Sequence, residues 1–169
     1  MLESLDHAKQ RGATILGEVV GFASNNNGGD MILPNLAGIS RTLTLALDDA
    51  QMSSQDVDFI SAHATATRQG DTIEAMAIHN VYGEKTRVTA LKSYMGHTIA
   101  ACGAIETIIT LMMMKHGFIP PTLNLDSVDE SCAMLNHTRQ VLDEQIHTAS
   151  VQNFAFGGVN TALVLKKFT

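Results

Sequence analysis

The chain has 169 residues, 45% of them apolar and 17% charged, with a formal net charge of −6. This is the composition of one globular domain with its own core, not of a disordered segment, and its acidity argues against a nucleic-acid partner, which needs a basic surface. Two cysteines, Cys102 and Cys132, give no disulfide framework, and with no signal-like opening in residues 1–13 the expectation is a cytoplasmic domain.

Residues 3–12 read as the end of a helix capped by Gly12. Residues 14–23, rich in β-branched side chains, predict a strand, and the Asn/Gly-rich segment 24–35 a loop. Ile39, Leu43, Leu47 and Ala50 recur at helical spacing and predict an amphipathic helix over 36–51. A turn at 53–56 leads to a short apolar strand, 57–62, which ends at His63. A hydroxyl-rich loop, 64–71, then enters a helix over 72–82, with Asp71 placed as its N-cap and Glu74 three residues on. Residues 87–92 predict a third strand.

The segment 91–106 reads as the end of that strand, a tight turn at Gly96, and a helix running to about Lys115. From Thr98 to Met114 its one charged residue is Glu106, and a helix apolar all round is expected to be buried. The small residues Ala100, Ala101, Cys102, Gly103 and Ala104 predict close packing against its first turns. His97 is expected at the helix N-terminus, where the dipole favours a neutral, hydrogen-bond-donating ring. Glu106 is a lone carboxylate that needs a partner, and Lys92 is the nearest candidate. The apolar run 99–114, interrupted by Glu106, is expected to be too short to span a bilayer.

Pro120 and Pro121 predict extended chain over 118–125, and 126–147 is polar and irregular. Two β-rich runs, 148–156 and 160–167, flank Gly157-Gly158 and predict a hairpin. Strands alternating with helices imply an α/β domain of parallel crossovers, here with a terminal antiparallel hairpin. Functional groups in such sheets gather beyond the carboxyl ends of the strands. His63 and His97 both fall at such junctions, and the Phe156-Gly157-Gly158 turn is a third element able to join them.

A histidine at a strand end is, taken alone, more often structural than functional. Two of them, with Lys92 close to one, point to a site. None of the seven histidines shows a His-Glu-x-x-His or Cys-x-x-Cys context, which argues against a metal. Cys102, inside a small-residue helix with no base beside it in sequence, reads as a small buried hydrophobe. Met112, Met113 and Met114 read as core filling, Asp71 as a helix cap before an acid or base, and Gly157-Gly158 as a strand turn, not a phosphate loop.

Six motifs stand in one order: His63-Ala-Thr-Ala-Thr, Gly70-Asp-x-x-Glu74, Leu91-Lys-Ser-x-x-Gly-His97, Gly103-Ala-x-Glu106, Pro120-Pro-Thr-x-Asn-Leu125 and Phe154-Ala-Phe-Gly-Gly-x-Asn160. In order and spacing they resemble the C-terminal half of the elongating β-ketoacyl-acyl-carrier-protein synthases of fatty-acid and polyketide synthesis. The resemblance covers essentially the whole chain. It implies one half of a thiolase-like fold, with residues 1–13 as the end of the helix joining the two halves and 14–169 as the C-terminal domain. It implies a decarboxylating Claisen condensation, with no cofactor beyond the phosphopantetheine of acyl carrier protein, on which the substrates ride.

Residue by residue, the resemblance makes His63 and His97 the two catalytic histidines and Lys92–Glu106 their supporting ion pair. Thr65 and Thr67 match the threonines that bind phosphopantetheine, and Asp71 and Glu74 the acidic pair near the first histidine. Phe156 matches the aromatic gate before the glycines, within a substrate-binding turn that includes Phe154, Gly157 and Gly158. Ala64 and Ala66 stand where the family has small turn residues, chiefly glycine, and the added methyls are expected to narrow the pantetheine tunnel. Ala100 and Cys102 replace glycine and alanine. The nucleophilic cysteine belongs to the family's N-terminal half, so these residues alone are expected to be inactive and to self-associate through the surface meant for that half. Acyl carrier protein and the complementary half are the expected partners. A non-catalytic subunit, similar to a chain-length factor, is the alternative. A degradative thiolase is disfavoured, because the C-terminal motif lacks that family's second cysteine.

Overall fold

The structure, a computed structural model, describes residues Met1–Thr169. A short helix α1 (Leu5–Gln10), capped by Ser4 and followed by Gly12 at φ 67°, precedes the sheet. Then come β1 (Gly17–Asn26), α2 (Leu36–Asp49), β2 (Phe59–Ser61), α3 (Arg68–Tyr82), β3 (Arg87–Thr89), α4 (Lys92–Met95), α5 (Cys102–His116), β4 (Asn136–His137), β5 (Thr148–Ala155) and β6 (Val159–Lys167).

The six strands form one sheet in the order β1-β6-β5-β2-β3-β4. β5 and β6 form the expected antiparallel hairpin, but they lie inside the sheet, between β1 and β2. β2, β3, β4 and β5 pair in parallel, and β6 runs against both its neighbours. The physical reason lies in the side chains. A central strand must be apolar on both faces. β6 sends Ala162 and Val164 to one core and Leu165 to the other, whereas β1 leaves Val19 and Phe22 exposed and suits the edge.

Alternation along the strands builds two cores. On one face α2 and α3 pack Ile39, Leu43, Leu47, Ala77, Ile78 and Tyr82 against Ile60, Val88 and Val164. On the other, Met113 and Met114 of α5 meet Phe59, Ala149, Val151 and Leu165. β1 comes close to α2 at Gly21, where a Cβ would lie 2.3 Å from the Ala46 carbonyl oxygen. Any side chain there would push the layers apart.

Four expectations are corrected. The helix after β3 is broken: Gly96 (φ 71°) ends α4, Ile99 (φ 54°) interrupts the chain again, and a 3₁₀ turn at Ile99–Ala101 precedes α5. α5 is also not buried all round. Cys102, Glu106, Thr110, Met113 and Met114 face inward, while Ala104, Ile108 and Met112 form an exposed stripe one turn apart. Together with the 3₁₀ turn, the run Ile99–His116 is long and apolar enough to cross a membrane, so length alone does not exclude a span. The paired carboxylate at its middle and the packing on β5 place it as a domain helix. Lastly, α3 begins at Arg68, with Thr67 at its N-cap, so Asp71 lies one turn inside. Gly70 permits this, because a Cβ there would meet Thr67 Oγ1 at 2.3 Å.

Candidate functional site

His63 follows the carboxyl end of β2. Its loop is held from beneath by Glu74 of α3, whose two carboxylate oxygens accept the backbone N–H groups of His63 and Ala64, each at 2.7 Å. Glu74 is buried, and burial pushes its carboxyl up to about 7, against the pull of those two N–H groups. Beyond it the chain passes through left-handed conformations at Ala64 (φ 36°) and Ala66 (φ 60°), and the Thr65 and Thr67 hydroxyls lie 2.9 Å apart. Left-handed backbone costs an alanine roughly 1–2 kcal/mol per residue. The two alanines thus add strain as well as methyl groups.

His97 follows Gly96 at the end of α4. It does not sit at the N-terminus of α5, as expected, but five residues before Cys102. Its tautomer is set by local contacts instead. The Ile99 N–H donates to His97 Nδ1 at 3.0 Å, which leaves the proton of the neutral ring on Nε2. Cys102 Sγ also lies 3.3 Å from Nδ1.

The two imidazoles meet edge to face, their centroids 5.5 Å apart, and Phe154 stands 5.6 Å from His63 on another side. Burial, then the positive charge of Lys92, then His97, push the His63 ring down to about 3. It is neutral at ordinary pH. Below the pair, Lys92 Nζ lies 2.5 Å from Glu106 Oε1, both side chains being buried. Asn153 Nδ2 donates to the other oxygen, Oε2, at 2.7 Å. A fully partnered ion pair of this kind holds the Lys92 ammonium in place near the neutral His63 ring.

The structure therefore brings together His63, His97, Lys92, Glu106, Glu74 and Phe154. Thr65, half-buried, and Thr67, exposed, stand in the His63 loop. Asp71 shares with Glu74, Cys132 and His137 the wall of a cavity of about 240 Å³ that Ala62 and Ala64, on either side of His63, also line. Its Oδ1 is buried without a partner, and burial raises its carboxyl above the ordinary value. Gly157 (φ 76°) and Gly158 (φ 78°) form the β5–β6 turn and leave Phe156 77% exposed at its tip. This turn is tied to the loop after β1, with the Gly157 N–H on the Met31 carbonyl at 2.8 Å and the Asn27 N–H on the Gly158 carbonyl at 3.0 Å.

A model of the "Beta-ketoacyl synthase, C-terminal domain" family matches residues 16–126. The chain belongs to this family. Among its relatives, 3-oxoacyl-[acyl-carrier-protein] synthase 1 of Escherichia coli (strain K12) is 36% identical over 168 residues, which cover 99% of this chain and 41% of the relative. Synthase 2 of Coxiella burnetii (strain RSA 493 / Nine Mile phase I) is 36% identical over 172 residues, with 99% and 42% covered. The crystal structure of a β-ketoacyl synthase from Burkholderia phymatum STM815 superposes with a TM-score of 0.96 at 41% identity, covering 99% of this chain and 41% of that one. The ishigamide ketosynthase/chain length factor gives a TM-score of 0.95 at 37% identity, covering 99% and 42%. The ketosynthase fold is therefore one thiolase-like half here, and the chain spans about two-fifths of the length of the curated relatives it matches.

Three contacts of this synthase-family site escaped the sequence reading. Asn153 as the second partner of Glu106 carried no distinguishing signal, because β5 also holds Thr148, Ser150 and Gln152. The Cys102–His97 contact was hidden because it spans a break in the helix that periodicity does not show. Asn160, which donates to Asn25 Oδ1 at 2.9 Å and Asn27 Oδ1 at 2.8 Å, joins β6 to the end of β1 and needs the observed strand order to be seen.

Proposed function

We propose that this chain is the C-terminal half of a condensing enzyme that elongates an acyl chain by decarboxylative Claisen condensation of malonyl-acyl carrier protein with an acyl-enzyme thioester. The observation that carries the reading is the pair of imidazoles 5.5 Å apart above a buried Lys92–Glu106 pair. As malonyl thioester loses carbon dioxide, the electron pair of the breaking C–C bond moves onto the thioester oxygen. Neutral N–H donors stabilise that enolate without giving up their protons, and each such donor is worth about 3–4 kcal/mol. His63 fits because its environment keeps it neutral, and His97 because its proton is directed to Nε2. The carbanion then attacks the acyl thioester, and the cysteine thiolate leaves.

In this reading Lys92 holds the local potential, Glu106 fixes Lys92, and Glu74 and Asp71 support the His63 loop. Thr65 and Thr67 bind the phosphopantetheine arm of the carrier, while Phe154, Phe156, Gly157 and Gly158 line and gate the acyl entry. No other cofactor is required. Residues 1–13 form the end of the inter-half helix and 14–169 the C-terminal domain. The cysteine comes from a complementary N-terminal half seated on the exposed stripe Ala104, Ile108 and Met112, which is expected to drive self-association when that half is missing. The protein works in the cytoplasm. Carrier binding is supported by the likeness to a ketosynthase solved in complex with its type II polyketide synthase acyl-carrier protein, 35% identical at a TM-score of 0.92, covering 99% of this chain and 42% of that one.

The test combines this chain with a complementary half, follows assembly by sedimentation, and assays condensation of acyl and malonyl carrier proteins. The expected result is a defined complex that condenses and loses activity on His63→Ala or His97→Ala. A confirmed complex without activity overturns the reading. The likeness to a ketosynthase/chain length factor supports one alternative, a non-catalytic subunit. Activity in an assembled complex that is indifferent to both histidine substitutions would establish it.

A further inference from the structure

Cys102 is the first residue of α5, 1% exposed, and has no role in the mechanism above. Its sulfur lies 3.3 Å from His97 Nδ1 and receives the Thr98 hydroxyl, also at 3.3 Å. Thr98 Oγ1 has a proton to give and the sulfur accepts it, so the thiol's own proton is free for the one acceptor within reach, the Nδ1 lone pair. That lone pair also receives the Ile99 N–H at 3.0 Å. Ile99 presents its N–H from φ 54°, a strained conformation for a β-branched residue. Two donors therefore converge on one edge of the ring, and the opposite edge, Nε2, is the one left to donate.

We infer that Cys102 is a positioning residue for His97: its S–H donates to Nδ1 and, with the Ile99 N–H, holds the imidazole as the Nε2–H tautomer in a fixed orientation. The relay runs from the Thr98 hydroxyl to the Cys102 sulfur and from the Cys102 thiol to Nδ1, with no proton transferred. An alanine at 102 would leave Ile99 as sole donor to Nδ1. Because a helical break separates His97 from Cys102, the thiol also ties the ring to the rigid end of α5, which the Ile99 N–H, itself in the strained turn, does not do. The catalytic consequence rests on the proposed condensation; the tautomer does not.

The tests use the chain as it stands and the chain assembled with its complementary half. Infrared spectroscopy of the wild type, with Cys132→Ser to assign the bands, is expected to show the Cys102 S–H stretch shifted down by hydrogen bonding. An unshifted band overturns the inference even if no variant folds. Two-bond ¹⁵N–¹H correlation of the imidazoles, assigned with His97→Gln, is expected to show the Nε2–H form of His97. Cys102→Ala should raise its Nδ1–H to Nε2–H ratio by about two- to tenfold, the size of one modest hydrogen bond, while Cys102→Ser, whose hydroxyl can donate, should restore it. An unchanged ratio in Cys102→Ala, or a Ser variant that behaves like Ala, overturns the positioning role. In the assembled enzyme, kcat should fall in proportion to the loss of the Nε2–H fraction, a smaller change than that in the ratio, with KM unchanged. Absence of activity in the wild-type complex would reject the proposed function while leaving the spectroscopic result to stand.

Discussion

The two histidine loops bring the same side chain to one place by opposite means. The His63 loop is gripped by its backbone: a buried carboxylate from another helix takes two of its N–H groups, and the ring is left with Nδ1 buried and unpartnered. The His97 loop is gripped by its ring, through donors two and five residues further along the chain, while His97 itself remains exposed. The first arrangement depends on tertiary contacts and on charge. The second depends on local backbone geometry. Perturbations of burial or pH should therefore act on His63, and perturbations of local conformation on His97.

The largest effect is expected from Lys92→Met, which leaves Glu106 buried without its cation. Loss of one partner of a buried pair costs about 3–5 kcal/mol, read as a lower urea midpoint at unchanged slope. The His63 ring, relieved of the positive charge of Lys92, should then titrate at higher pH in an NMR titration. A variant as stable as the wild type would show that the pair contributes little and that the common base of the two loops lies elsewhere.

Next comes pH. His63 is held below its ordinary value of 6.5, at about 3, so its contribution is complete above 6.5 and is lost as pH falls through that interval. Glu74 is raised from 4.5 to about 7, so its contribution is present below 4.5 and is lost as pH rises toward 7. Between 4.5 and 6.5 the two oppose each other and the wild type should be nearly flat in their combined effect. His63→Gln removes one side. Its unfolding free energy should fall by about 3 kcal/mol between pH 4.5 and 7. A flat profile in this variant would mean that the two N–H bonds to Glu74 outweigh its burial.

The smallest effect sharpens the comparison from the backbone side. Ala64→Gly and Ala66→Gly each relieve left-handed strain in the His63 loop but add freedom to the unfolded chain, for a net stabilisation of up to about 1 kcal/mol. Ile99→Gly should stabilise by a similar amount while loosening the His97 ring, seen as broadened imidazole resonances. Equal ring mobility in all three variants would erase the distinction between a loop held by its backbone and one held by its ring.

Much of this was legible in the chain itself. β-branched runs located the long strands, and helical spacing located α2, because burial of one helix face imposes that spacing. A lone Glu106 on an apolar helix demanded a cation, and the order of the six motifs identified the family. The sequence could not give the place of the β5–β6 hairpin inside the sheet, since strand order depends on which faces find partners. It could not show that α5 is half bare, because an all-apolar helix reads the same whether its second face is covered by this chain or by another. Asp71 looked like a cap because Glu74 follows it three residues on, and only the close approach of Thr67 reveals why glycine sits inside the helix. Residue chemistry fixed what the site contains. The left-handed turns at Ala64, Ala66 and Ile99, which no propensity favours, are imposed by packing around them, and they decide how the two rings are aimed.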